Sequence, residues 1–282
     1  MVAVPPPPSD NSEELLLRRK RASSAGGQTK VDALRASGRR TAWDRINALV
    51  DEDSFVEVDS FVTHRNDQFN LHLHPIEGDG VVCGHGTVDG RRIFCFAQDF
   101  SVFGGSMGEM HAMKIAKLAE MAERARIPLV GIWDGGGQRA HDGVHSLGGT
   151  GVLLDRIVAC SGRIPMFSLV LGPVVGVSAL AAGLADFVIL GQEHGQLFLS
   201  SPLETEETAS GEITPHELGG ADLHASRSGI ACMIAVDEDD ATEIVSEMLS
   251  FLPDHCLAEP PICKTSDEAN RSCDVLQDLI PD

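Results

Sequence analysis

The chain has 282 residues, of which 43% are hydrophobic and 23% are charged, and its formal net charge is −20 at pH 7. This length and hydrophobic content suffice for a substantial core in one large domain or two small ones. The excess of carboxylates excludes a nucleic-acid-binding protein, because so acidic a chain cannot form a large basic face.

Membrane and disulfide-linked classes are also excluded. The richest apolar run, Phe167 to Leu190, contains glycines, a proline and an aspartate, so no membrane span is predicted. The N-terminus lacks the apolar core of a secretory signal, which favours the cytoplasm. Seven scattered cysteines without a Cys-x-x-Cys pair predict reduced thiols, mostly in the core, and no metal site.

The first half of the chain predicts a flexible lead, a helix and a β-hairpin. Residues 1 to about 30 begin with a proline tract and form the lead. Thr41 and Asp44 resemble a capping box, which predicts that a helix begins there. A strand is expected over Phe55 to Val62, and the pair Asp89-Gly90 between two β-prone runs predicts a hairpin.

The second half predicts alternating strands and helices. A glycine-rich loop, 98–108, leads into a helix of about 18 residues, whose methionine stripe is interpreted as core packing. Strands are expected at 128–133, 164–171, 187–190 and 230–236, and helices at 147–160, 176–184 and 237–252. Such alternation is typical of parallel βαβ crossovers.

Two apolar runs break into glycines just before predicted helices, at Val130 to Arg139 and at Leu169 to Ser178. Backbone turned in this way can point N–H groups at a bound oxygen. If both turns approach one point, they could stabilise an acyl carbonyl that gains negative charge. The alternative is that the glycines merely permit tight turns.

Two other arrangements remain open at this stage. Gly104-Gly-Ser-Met-Gly108 fits the G-x-S-x-G pattern of a serine hydrolase, with Asp134 and His216 as later partners. The histidine pairs 72/74 and 141/145 have ligand-like spacing, but their polar surroundings favour surface histidines.

Several stretches together resemble the carboxyltransferase β subunit of biotin-dependent acyl-CoA carboxylases, of the propionyl-CoA carboxylase type. They are Gly38 to Ile46, Asp53 to Glu57, Gly78 to Val82, Gln98 to Ser106, Asp134 to Gly143, Gly172-Pro173, Glu217 to Ala221 and Ser228 to Ala231. The match is colinear from about Arg19 to Pro281, and it covers about half of the usual subunit.

The resemblance implies an α/β, crotonase-like (ClpP/crotonase) fold, a superhelix of ββα units. It implies a flexible lead at 1–36, an acyl-CoA carboxyltransferase N-terminal domain at 37–258 and a linker-like tail at 259–282. It also implies that the backbone N–H groups of Gly176 and Val177 form an oxyanion hole for a thioester enolate. The implied acyl-CoA-binding residues are Gly104, Gly105, Ser106, Gly135, Gly136, Gly137, Arg139, Gly172, Pro173, Ser201 and Pro202.

The implied substrate is a coenzyme A thioester, and the implied biotin is carried by another chain. Expected partners are further copies, in trimers or hexamers, a separate chain with the biotin-binding carboxyltransferase half, and a biotin carboxylase or carrier subunit. Nucleic acid and membrane are not expected partners.

Departures from the family pattern leave other functions open. The usual Gly-Gly-Ala-Val-Tyr-Ser-Pro-Ala reads Gly176-Val-Ser-Ala-Leu-Ala-Ala-Gly183 here. Valine keeps its N–H, but its side chain is bulkier and its backbone less permissive than that of glycine. The alternatives are a biotin-independent decarboxylase of malonyl or methylmalonyl thioesters, and a non-catalytic scaffold subunit of a carboxylase complex.

Overall fold

A single mixed sheet organises the fold, which we describe from a computed structural model. The described residues are 11–262 except 25, 74, 203, 204 and 206–212, together with 264–268, 270–273 and 276. The strands are β1 (Val56–Glu57), β2 (Val81–Val88), β3 (Arg91–Gln98), β4 (Leu129–Gly135), β5 (Met166–Val175), β6 (Phe187–Gly191), β7 (Gln196–Phe198) and β8 (Met233–Ala235). Their order is β1-β2-β3-β4-β5-β6-β8, and β7 pairs with β5.

The hairpin and the parallel crossovers are both confirmed. The pairs among β1, β2 and β3 are antiparallel, whereas β3, β4, β5, β6 and β8 are parallel neighbours. Asp89 and Gly90 both have positive φ, 50° and 78°, as the predicted turn requires. The expected strand at 55–62 is correct only for Val56–Glu57.

The helices cover both faces of the sheet. They are α1 (Asn11–Ala22), α2 (Gln28–Ala36), α3 (Ala42–Leu49), α4 (Glu109–Ala125), α5 (Val144–Cys160), α6 (Val177–Gly183), α7 (Pro215–Gly219), α8 (Ala221–Leu223) and α9 (Glu238–Phe251). Buried side chains of α4, α5 and α6 share one core cluster, and those of α3 and α9 share the other. In the described part of the chain, no helix is long and apolar enough to cross a membrane.

Local sequence accounts for the helix boundaries. Thr41 accepts a hydrogen bond from the Asp44 N–H, and the Asp44 carboxylate accepts one from the Thr41 N–H, so the predicted capping box is present.

The predicted lead contains α1 and α2, and Val31 and Leu34 are buried. The methionine stripe of α4 is less buried than predicted, because Met113 is 37% exposed while the small and branched residues beside it face the core.

Candidate functional site

The two predicted glycine turns lie side by side at the carboxyl ends of adjacent strands. β4 ends at Gly135, which pairs with Val174 of β5. A Cβ placed on Gly137 would lie 3.4 Å from the Val175 carbonyl oxygen. Because carboxyl ends of parallel strands share one edge of a sheet, the backbone of both turns is presented there.

The glycine-rich loop after β3 packs directly onto the first turn. The Gly136 N–H donates to the Gly104 carbonyl oxygen at 3.0 Å. A Cβ on Gly105 would clash with the Asp134 carbonyl oxygen, and a Cβ on Gly135 would clash with that of Gly105. Both positions therefore require glycine for close backbone approach, and two of the predicted binding segments, the loop at Gly104 to Ser106 and the turn at Gly135 to Gly137, meet here.

The second turn begins later than the sequence suggested. β5 continues through Gly172 and Pro173 to Val175, so these two residues lie in a strand and not in a turn. The chain reverses at Gly176, whose φ of 68° suits glycine, and α6 starts at Val177.

The predicted oxyanion donors differ in their hydrogen bonding. The Gly176 N–H donates to the Phe198 carbonyl oxygen at 2.7 Å. The N–H groups of Val177 and Gly137 make no hydrogen bond within the described residues. The first turn of a helix has unsatisfied N–H groups, so Val177 retains a donor that an incoming oxygen can use.

The segment after β7 borders the same turn. β7 pairs with β5 in the register of Val175 with Phe198, which brings Phe198 and Leu199 next to Gly176, and Ser201 and Pro202 follow in the same segment. The Leu199 carbonyl oxygen lies 4.0 Å from the position of a Cβ on Gly176. The predicted residues Ser201 and Pro202 are partly exposed in this segment.

A buried ion network lies beneath the first turn. The Asp134 carboxylate is fully buried and pairs with Arg39 and with Arg45, the latter at 2.6 Å. Arg45 also pairs with Glu238 at 2.7 Å, on α9. Gly172 lies against Asp134, where any side chain would displace the carboxylate. The network joins α3, β4 and α9, and it fixes the start of the glycine turn.

A second network reaches the turn through Gln98 and His111. The His111 Nδ1 lies 3.1 Å from the Asp79 carbonyl oxygen, an acceptor, so Nδ1 carries the proton. Nε2 then accepts from the Gln98 amide at 3.2 Å, and Gln98 Oε1 accepts from the Asp134 N–H at 2.9 Å. Burial lowers the pKa of His111 well below its usual value, and the charges of Arg139 and Lys114 lower it further. A neutral imidazole is required by this arrangement.

Arg139 lies below the loops and its side chain is only 1% exposed. Its guanidinium pairs with Asp79 and donates to the Ser106 carbonyl oxygen at 3.0 Å. Burial raises the pKa of Asp79, and the Arg139 charge opposes that effect. Arg139 thus supports the Ser106 segment from inside, and its side chain does not line an open cleft.

The serine-hydrolase arrangement is not supported. Ser106 follows a short 3-10 turn, Phe103–Gly105, and does not stand at a strand-to-helix tip. The Asp134 carboxylate is already paired with two arginines. His72, His141 and His145 are exposed, as predicted for surface histidines, and His74 lies outside the described residues.

Arg39, Arg45, Gln98, His111 and Asp79 were not predicted as site residues. Arg39, Arg45, Gln98 and Asp79 lie inside the stretches that carry the family resemblance, which was the available signal. Their roles depend on contacts between residues far apart in sequence, such as Arg45 with Asp134 at a separation of 89.

Comparison with known proteins identifies the family. Residues 33–282 match the family model described as carboxyl transferase domain. The methylmalonyl-CoA decarboxylase subunit alpha of Veillonella parvula is 39% identical over 257 residues, covering 91% of this chain and 50% of the relative. The propionyl-CoA carboxylase carboxyltransferase subunit of Haloferax mediterranei is 37% identical with the same coverage.

A solved structure supports the same family and the predicted fold. Transcarboxylase 12S, crystallised with methylmalonyl-coenzyme A and methylmalonic acid bound, superposes with a TM-score of 0.90 at 31% identity. The match covers 99% of this chain and 54% of that one, so the chain spans about half the length of these relatives. The predicted crotonase-like α/β fold is confirmed. This chain belongs to the carboxyl transferase family.

Proposed function

We propose that the chain is an acyl-CoA carboxyltransferase component, which binds an acyl-CoA and stabilises its thioester enolate. The observation that supports this most is the pair of glycine turns at the carboxyl ends of β4 and β5, with the N–H groups of Gly137 and Val177 unpaired among the described residues. Such donors act on charge that develops during the reaction and need no reorganisation.

In this proposal the donor pair is refined from the sequence-based one. Gly176 gives the turn its positive φ and uses its own N–H on Phe198, while Val177 donates to the thioester oxygen. Gly137 is the second donor. The neutral His111, acting through Gln98, and the Asp134 network hold the first turn in place. Each preorganised donor contributes roughly 2.7–4 kcal/mol to enolate-like charge stabilisation.

Biotin supplies an activated carboxyl group when it is bound, and we propose that another chain carries it. This chain spans about half of its relatives' length, 50% for the Veillonella subunit. A separate chain with the biotin-binding half, a biotin carboxylase or carrier subunit and further copies of this chain complete the proposed assembly. We propose a cytoplasmic trimer or hexamer.

The acyl-CoA is held, in this proposal, by the loop at Gly104 to Ser106, the turn at Gly135 to Gly137 and the segment at Ser201-Pro202. Gly172 and Pro173 lie in β5, and Arg139 lies in the buried ion pair with Asp79. These three residues support the loops from beneath. Neither a biotin-independent decarboxylase nor a scaffold has an observation of its own in its favour.

The test uses the purified chain with methylmalonyl-CoA, malonyl-CoA and propionyl-CoA, with and without a biotin-bearing partner chain. We expect carboxyl transfer only when the partner is present. Release of CO2 by the chain alone would instead favour the decarboxylase. Absence of binding to all three thioesters would contradict both enzymatic functions.

A further inference from the structure

A buried histidine, His224, contacts the outer edge of β7 and is not used by the proposed function. It begins a single π-helical turn, His224–Ser228, which follows α8, and it is 8% exposed. Such turns are rare and occur mostly at functional sites. The turn brings the histidine ring against the strand that borders Gly176.

Both ring nitrogens of His224 have hydrogen-bond partners, and these partners fix the tautomer. Nε2 lies 3.0 Å from the Leu197 carbonyl oxygen, which can only accept, so Nε2 carries a proton and donates it. In the neutral imidazole Nδ1 then accepts from the Ser228 hydroxyl, at 2.8 Å. The ring therefore acts as a fixed donor to the backbone of β7.

β7 is a three-residue strand that is held along both of its edges. Among the described residues it pairs with β5 alone. Along the other edge, Gln196 forms an isolated bridge with Gly220, and a Cβ on Gly219 would lie 2.3 Å from the Leu197 carbonyl oxygen. The hydrogen bond from His224 is the side-chain contact that ties this edge to the segment at 219–224.

The edge of β7 that faces β5 holds the turn that carries the proposed donor. The Phe198 carbonyl oxygen accepts from the Gly176 N–H at 2.7 Å, and Gly176 directly precedes Val177. Two hydrogen bonds and the short backbone between Leu197 and Phe198 thus connect the histidine ring to the turn. A shift of β7 would move Gly176 and change the direction of the Val177 N–H.

We propose that His224 is a positioning residue, which holds β7 in the place from which Phe198 orients the donor turn. This role requires no contact between the histidine and the substrate. The importance of the turn for catalysis rests on the proposed function, whereas the coupling of His224 to Gly176 rests on the contacts alone.

Three variants separate this role from a general loss of stability. His224→Leu removes both hydrogen bonds of the ring, whereas His224→Gln keeps an amide donor for the Leu197 carbonyl oxygen. The matched control is Asp186→Ala, which deletes a side-chain hydrogen bond of 2.9 Å to the Met166 N–H, at the amino end of β5. The control therefore disturbs the same strand at the edge of the sheet opposite the site.

Each variant is assayed for kcat and KM of carboxyl transfer between methylmalonyl-CoA and the biotin-bearing partner chain, and for amide hydrogen exchange at Gly176 in the chain alone. We expect His224→Leu to lower kcat by about tenfold to a hundredfold with KM within about twofold, because a misplaced donor acts mainly on the transition state. Exchange at Gly176 should become about tenfold faster, since its hydrogen bond to Phe198 opens more often. His224→Gln should recover most of both losses, and Asp186→Ala should resemble the wild type in both.

The outcomes separate this inference from the proposed function. Unchanged kcat and unchanged exchange in His224→Leu would overturn the inference, as would an equal fall of kcat in Asp186→Ala. A fall of kcat without faster exchange at Gly176 would also overturn it, because the histidine would then act by another route. If exchange at Gly176 depends on His224 but the wild type transfers no carboxyl group, the positioning contact stands and the proposed function fails.

Discussion

At the scale of single residues, the backbone N–H of Val177 decides whether the altered family motif can still donate a hydrogen bond to an enolate oxygen. The sequence predicts that this residue keeps its N–H but carries a bulkier side chain than the glycine of the family pattern. In the structure Val177 is the first residue of α6 and partly exposed, and its N–H has no partner in the described part of the chain. Hydrogen bonding of Gly176 to Phe198 was not predictable, because it depends on the position of β7.

His111 should make the stability of the folded chain depend on pH, and the sign of this dependence follows from the burial of its imidazole. Its folded pKa is depressed, so the unfolded chain binds the proton first as the pH falls. Stability from this group is complete above the unfolded pKa of about 6.5 and is lost below it, by at most about 1.4 kcal/mol per pH unit. The groups that face it are Arg139, Lys114 and Asp79.

The check is urea unfolding between pH 7.5 and 5.5 at constant salt. In the wild type, the free energy of unfolding should decrease as the pH is lowered. In His111→Gln, the slope of this free energy against pH should be smaller by up to about 1.4 kcal/mol per pH unit, which corresponds to one proton. Because the same other histidines are present in both proteins, the difference in slope isolates His111. Parallel slopes would show that the imidazole is not kept neutral.

At the scale of elements, the site depends on loops that touch through backbone atoms. Glycine content alone predicted turns at both places, but it placed the second one too early, at Gly172-Pro173. The paired strand continues there because β7 joins β5 beyond that point. The contact of the loop at Gly104-Gly105 with Gly135 has no local sequence signal beyond the glycines themselves.

Two neighbouring glycines offer a matched comparison. Gly104 and Gly105 have similar positive φ, 63° and 67°, but a Cβ on Gly104 meets open space while one on Gly105 clashes with the Asp134 carbonyl oxygen. Gly104→Ala should therefore cost only the backbone strain, about 1–2 kcal/mol. Gly105→Ala should cost clearly more and weaken acyl-CoA binding as well, since the turn must move.

Thermal or urea unfolding of the two variants, with acyl-CoA titration of each, measures both effects. Equal destabilisation of the two proteins would mean that the loop is not seated against the turn. Retention of wild-type acyl-CoA affinity in Gly105→Ala would argue that this turn is not part of the substrate site.

At the scale of the whole molecule, alternating strands and helices and the Asp89-Gly90 hairpin were predictable because their signals are local. The polar groups that support the site were not, since Arg45 reaches Asp134 only once α3 has packed against β2, β3 and α9. The resemblance supplied the family and the turn at Gly176, whereas the structure placed Arg139 in a buried ion pair with Asp79. The domain boundaries at 36 and 258 remain predictions.

The central claim is that a backbone N–H on Val177 binds the enolate oxygen, and its removal can be tested without disturbing the helix. Proline is tolerated at the first position of a helix, where its missing N–H breaks no helical bond. Val177→Pro thus deletes the donor, while Val177→Ala keeps it.

The measurement is kcat/KM for carboxyl transfer between methylmalonyl-CoA and the biotin-bearing partner chain, set beside the affinity of each variant for propionyl-CoA. Val177→Pro should lose about a hundredfold to a thousandfold in kcat/KM, and Val177→Ala should stay close to wild type, with both proteins melting near the wild-type temperature. An undiminished kcat/KM in a folded Val177→Pro protein would contradict the account.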